Sequence, residues 1–110
     1  YVVLTNDPHP PSDVQKGVVI EDYVAISTMS VILPGVTVKK DTLVGAKSLV
    51  SKNTLEGTLV AGNPAKEICS ASKIRLKDGS RESAYPWRRH FYRGYPLDIV
   101  ENWKAEFKID

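Results

Sequence analysis

Between residues 14 and 55 a six-residue period decides where branched aliphatic side chains fall. In blocks from residue 14 the chain reads VQKGVV, IEDYVA, ISTMSV, ILPGVT, VKKDTL, VGAKSL and VSKNTL. The first position is Val14, Ile20, Ile26, Ile32, Val38, Val44 and Val50. Ile and Val make up 20 of the 110 residues, so seven matches in a row at one phase have a chance probability of roughly 10⁻⁵. The period is therefore a property of the fold. A helix cannot satisfy it, because six residues advance the helix by about 600° and carry the apolar stripe around the cylinder. Short strands can. Fifth and first positions are two apart and point to one face of a pleated strand, as in Val18/Ile20, Val24/Ile26 and Val36/Val38. The third or fourth position must then turn the chain, and Gly17, Pro34, Gly35, Asp41 and Asn53 stand there, residues suited to left-handed or fixed backbone angles. Ser30, Thr42, Ser48 and Thr54 replace Val at the fifth position, small enough for the inner edge of a corner.

The pattern resembles the hexapeptide-repeat acyltransferases, whose left-handed parallel β-helix makes one triangular coil from three hexapeptides. The resemblance is carried by Ile32-Leu33-Pro34-Gly35-Val36, by Val44-Gly45-Ala46-Lys47-Ser48-Leu49-Val50 and by Ala61-Gly62-Asn63-Pro64-Ala65-Lys66, within residues 18–68. It implies an all-β fold, a left-handed parallel β-helix of about 2–3 coils and only ~11 Å high at the usual strand spacing, with a C-terminal extension ending in an α-helix. Internal ladders Val14–Ile32–Val50, Ile20–Val38 and Ile26–Val44 are expected. The hand comes from the resemblance alone. The chain departs from the family pattern at Ser27-Thr28, where a Gly-Ala type pair is usual, and at Lys39, where Gly is.

Around the repeat, Tyr1-Val2-Val3-Leu4 reads as the last side of an earlier coil with Val2 and Leu4 inward, which makes the chain a candidate C-terminal fragment. Thr5 to Gly17, rich in Pro and Asp, reads as an excursion from a corner. The expected domains are 1–68, the β-helix with its excursion at about 5–17, and 69–110, a cap. Within the cap a hairpin is expected around Asp78-Gly79 and a helix starting near Pro96, with Leu97, Val100, Trp103 and Phe107 as its apolar stripe. Trp87-Arg88-Arg89-His90-Phe91 fits either a clamp over an adenine and its phosphate or, better, an end cap with solvent-facing arginines.

Composition narrows the function classes. One Cys and two His exclude an intrachain disulfide framework and a structural-zinc pattern, and the apolar runs are too short to cross a membrane. A reducing, cytoplasmic setting is expected. Residues 1–65 carry net charge −1 and residues 66–110 net +3, too little for a duplex nucleic-acid face. The resemblance implies an acetyl-CoA-dependent acetyltransferase acting on a hydroxyl or amino group of a sugar-like acceptor, built as a homotrimer with the donor between prisms and no metal. The alternative is a non-catalytic trimeric scaffold or truncated remnant. A zinc carbonic anhydrase on the same prism would need three histidines, and only His9 and His90 exist.

Carried over by position, the donor-contacting residues are Ser27, Gly45, Ala46, Ser51, Lys52 and Lys66. Gly45 and Ala46 equally suit a tight corner, and Lys52 and Lys66 better suit a solvated surface. His9, in the Pro-stiffened loop Thr5-Asn6-Asp7-Pro8-His9-Pro10, is the candidate general base, since imidazole titrates near neutral pH. It looks like the loop histidine of sugar and xenobiotic acetyltransferases. The Thr-Asn-Asp opening is closer to nucleotide-sugar N-acetyltransferases, some of which lack a histidine base, and Asn6 or Asp7 would then orient the acceptor. A plain surface-loop histidine fits the same residues.

Overall fold

A computed structural model describes residues 1–109, which fall into two compact units, Tyr1–Ala71 and a second beginning at Ser72. In the first unit the strands are β1 (Val3–Leu4), β2 (Val19–Ile20), β3 (Ala25–Ile26), β4 (Val31–Ile32), β5 (Thr37–Val38), β6 (Leu43–Val44), β7 (Leu49–Val50), β8 (Thr58–Gly62) and β9 (Ala65–Ser70). Three parallel sheets result, ordered β1-β4-β7, β2-β5 and β3-β6-β8, the last extended by antiparallel β9. Each sheet is one side of a coil, and successive sides come from successive hexads.

The turns recur with the same period. Positive φ falls at Tyr23, Met29, Gly35, Asp41 and Lys47, the fourth position of five consecutive blocks. Only Gly35 adopts that angle freely; each of the others costs roughly 1–2 kcal/mol. Backbone bonds from Val36 N–H to the Leu33 carbonyl (3.3 Å) and from Thr42 N–H to Lys39 (3.2 Å) close turns of the type that needs a left-handed third residue.

First positions fill the interior. Ile32, Val38 and Val44 are fully buried, Val50 and Val60 nearly so, and Val36 joins them from a fifth position. The ladders are Leu4–Ile32–Val50, Ile20–Val38 and Ile26–Val44–Val60. Two of the three expected columns stand, and the expected place of Val14 belongs to Leu4. Val14 is 60% exposed and lies inside the excursion, its N–H bonded to Ser12 Oγ at 3.0 Å. The first rung, including Val3, Leu4, Val19 and Ile20, is exposed because each strand there has a neighbour on one side only. Buried hydroxyls at fifth positions are paired: Thr42 and Thr54 share a 2.9 Å bond, and Thr54 Oγ1 accepts the Lys39 N–H. This meets the demand that buried polar groups be bonded.

In the second unit, Arg75 and Ser83 form an antiparallel bridge across Asp78-Gly79, flanked by Leu76 N–H to Glu82 and Ala84 N–H to Ile74 bonds. Helix α1 spans Leu97–Phe107 with Pro96 as its N-cap residue. Trp103 is buried and stacks edge-on with Trp87 and Tyr95. Leu97, expected in the stripe, is 81% exposed. Arg88 corrects a second expectation: it is 1% exposed, grips both Glu106 carboxylate oxygens, and lies over the Trp103 and Phe107 rings. It does not face solvent.

Candidate functional site

The excursion leaves the prism after β1. Thr5 is anchored by bonds from its N–H and hydroxyl to the Ile32 carbonyl, and Lys16 N–H closes the loop onto the Asn6 carbonyl at 2.8 Å. Asp7 organises the tip: its two carboxylate oxygens accept the His9 N–H (3.3 Å) and the Ser12 N–H (3.1 Å). The Asn6 amide reaches Gln15 Oε1 at 3.4 Å. His9 is exposed. Beside it a cavity of about 550 Å³ is lined by Leu4, Thr5, Asn6, Asp7, Pro8, Pro10, Leu33 and Pro34.

A groove of about 330 Å³ opens at the last rung, lined by Val50, Leu55 and Val60 together with Ser51, Lys52, Asn53, Thr54, Pro64, Ala65, Lys66 and Glu67. Its cause is a shortened coil. Partners on one face are normally 18 residues apart, as Val31 and Leu49 are, but Leu43 pairs with Leu59, so the final coil is two residues short. The chain then reverses at Asn63-Pro64 into β9, which sets Lys66 opposite Ala61. Ser51, Lys52 and Lys66 thus meet in one groove. Asn53 and Glu67 also line it and were not among the site residues expected from sequence; Asn53, expected only as a corner residue, has a structural duty, its Oδ1 accepting the Thr37 N–H at 2.8 Å.

Ser27, Gly45 and Ala46 lie elsewhere, on the edge that follows β3 and β6. Ser27 N–H bonds to Val44 O (3.0 Å), and Gly45 N–H bonds to Val60 O (2.9 Å). A Cβ at Gly45 would lie 3.0 Å from the Ala61 Cβ, a tight contact that favours glycine where the coils stack. Ala46 is exposed and its N–H has no hydrogen-bond partner among the described residues. The edge after β1, β4 and β7 carries Thr5, Leu33 and Ser51 in register, since Thr5 N–H bonds to Ile32 O and Leu33 N–H to Val50 O. The His9 loop and Lys52 therefore share one edge, two rungs or ~10 Å apart. His90, in the other unit, is held by a 2.6 Å contact between Nε2 and the Ser83 carbonyl. Among the described residues no three His, Cys, Asp or Glu side chains are grouped to hold a metal, and no helix is long and apolar enough to cross a membrane.

No family model matches the chain. It is 44% identical over 73 residues, 66% of its length, to a 2,3,4,5-tetrahydropyridine-2,6-dicarboxylate N-acetyltransferase of Staphylococcus aureus, of which the match covers 30%. Among solved structures, a maltose O-acetyltransferase from Clostridium difficile superposes with TM-score 0.56 at 29% identity, over 63% of this chain and 41% of the other. A hexapeptide-repeat-containing acetyltransferase from Vibrio cholerae, crystallised with acetyl coenzyme A, superposes with TM-score 0.54 at 31% identity over the same shares. The chain spans about a third of the length of the curated relative. It carries the left-handed β-helix of the hexapeptide-repeat acetyltransferases, and the relatives and structural neighbours it matches are enzymes of that family.

Proposed function

We propose that this chain forms the donor-binding part of an acetyl-CoA-dependent acetyltransferase that acylates a hydroxyl or amino group of a sugar-like acceptor. The observation that carries the reading is the backbone N–H of Ala46, an exposed residue on a prism edge, without a hydrogen-bond partner among the described residues, together with a groove holding Lys52 and Lys66, in a chain whose relatives are acetyltransferases. These residues suit the donor. An outward N–H is a donor for an amide carbonyl of the pantetheine arm, and two ammonium groups suit its phosphates. Acetyl-CoA supplies an acyl group already activated as a thioester.

His9 is assigned the acceptor's proton. A hydroxyl must lose a proton as it attacks the thioester and an ammonium must lose one before it can attack, and an imidazole on a loop fixed by Asp7 is suited to receive it. Asn6, at the mouth of the neighbouring cavity, is assigned to orienting the acceptor. The edge bearing Ser27, Gly45 and Ala46 and the edge bearing the His9 loop belong to different corners of one prism. A homotrimer packed side by side sets one protomer's first edge against a neighbour's second and completes the site, which is why a trimer is part of the proposal. With Cys69 free, a reducing cytoplasm is the assigned compartment.

The 44% identity to a dicarboxylate N-acetyltransferase, against 29% to the maltose enzyme, favours a second acceptor class, a cyclic imine dicarboxylate. The test is release of free CoA thiol from acetyl-CoA with three acceptor sets: hydroxy-sugars, amino-sugars and tetrahydropyridine dicarboxylate. Turnover with either sugar set supports the first reading and turnover with the dicarboxylate alone the second. A trimer that neither binds CoA nor releases thiol is a scaffold, and the enzymatic reading then fails.

A further inference from the structure

Inside the corner that carries Ala46, two buried hydroxyls converge on one carbonyl. Ser48 Oγ donates to Gly45 O at 2.6 Å and Ser30 Oγ donates to the same oxygen at 3.0 Å. Both serines are 2% exposed or less. A carbonyl oxygen has two lone pairs, and here both are engaged from within the prism. The Gly45–Ala46 peptide is planar and trans, so pinning its C=O inward fixes the Ala46 N–H outward. Ser48 does more: its Oγ also accepts the Gly62 N–H at 3.2 Å, and Gly62 opens the turn that leads into β9 and Lys66. Ser30 Oγ in turn accepts the Ser48 N–H at 3.4 Å.

We infer that Ser48, assisted by Ser30, is a positioning residue that sets two separate donor-binding elements at once, the outward Ala46 amide and the turn preceding Lys66. The inference rests on the donor-binding role given above to Ala46 and Lys66. Packing alone does not require a hydroxyl at this place. Fifth positions of other blocks hold Val18, Val24 and Val36 as well as Thr42 and Thr54, so the interior accepts Val and Thr alike, and the two differ chiefly by the hydroxyl.

The test compares Ser48→Val with Ser48→Thr in the full chain, by calorimetric titration with CoA and by amide hydrogen exchange of the ligand-free protein. The expected result is about tenfold weaker CoA binding and faster Gly62 exchange in the Val variant, with Thr restoring both to within about twofold of wild type, in line with one lost hydrogen bond to a fixed group. Val binding CoA as tightly as wild type overturns the positioning role while leaving the acetyltransferase reading intact. Failure of the wild type to bind CoA overturns that reading and this inference with it. Should Ser48→Val not fold, Ser48→Ala decides, because it removes the hydroxyl bonded to Gly45 O and Gly62 N–H without adding volume. Weaker CoA binding by about tenfold with faster Gly62 exchange supports the inference, and undiminished binding by the folded variant overturns it.

Discussion

Val44→Asp tests the ladder where it is most completely enclosed. Val44 is fully buried, flanked by Ile26 and Val60 on the strands either side, and packed within Ile32, Val36, Val38 and Val50. Nothing cationic belongs to that cluster. Losing the valine methyl groups costs about 1.5 kcal/mol of burial. The carboxyl must in addition stay protonated to remain inside, and for an Asp of ordinary pKa near 3.9 that costs about 4 kcal/mol at pH 7 but only about 1.5 kcal/mol at pH 5. Its folded pKa is thus raised, so the variant's stability is greatest below about pH 4 and is lost as pH rises. The expected deficit, about 5–6 kcal/mol at pH 7, approaches the whole stability of a domain this size. The measurement is urea unfolding of variant and wild type at pH 5 and pH 7, with Val19→Asp as control because Val19 is 55% exposed and should change stability by about 0.5 kcal/mol or less. Equal deficits for the two variants, or a Val44→Asp deficit that does not shrink toward pH 5, would refute the enclosed column.

Arg88→Met should cost the second unit about 2 kcal/mol, less than for a fully buried pair because the Glu106 side chain is 47% exposed and regains water; near-ultraviolet circular dichroism of the Trp87–Trp103 cluster should report the loss. Bonds from the Ser80 hydroxyl and N–H hold the Asp78 carboxyl below the usual carboxylate range. Ser80→Ala should raise it in an NMR titration; because a lowered folded pKa stabilises above the unfolded value and is lost as pH falls, the hairpin should loosen in acid in wild type more than in the variant. Of His9→Ala and His90→Ala, only the first should lower turnover, by about 10²-fold, the usual worth of a general base; equal activity removes His9 from the mechanism.

Why some of this was legible in the sequence and some was not follows from particular residues. A fully enclosed position tolerates only apolar side chains of one size class, so Ile32, Val38, Val44 and Val50 mark the period without ambiguity. Left-handed corners are less legible, because Tyr23, Met29 and Lys47 occupy an angle that glycine would announce. Val14 misleads for a different reason. Leu4 and Ile20 both point inward but are 16 residues apart, so the excursion breaks the phase, and Val14 matches it by coincidence. The groove at the last rung arises from a two-residue deletion that shows as a lapse in the repeat after Val50. Ser51, Lys52 and Lys66 could be named, but their meeting depends on the β8–β9 reversal, a tertiary event. Arg88 resembles a surface residue in composition, and only its partners Glu106, Trp103 and Phe107, 15 to 19 residues on, draw it inside.

On the proposed reading, stacked hexads build an edge and a groove for an acyl donor. A crystal structure of the protein grown with CoA tests it most directly. The expected result is a trimer with CoA density between protomers, a pantetheine carbonyl within hydrogen-bond distance of the Ala46 N–H, and phosphates against Lys52 or Lys66. A monomer, or CoA bound only away from Ala46 and both lysines, would contradict it.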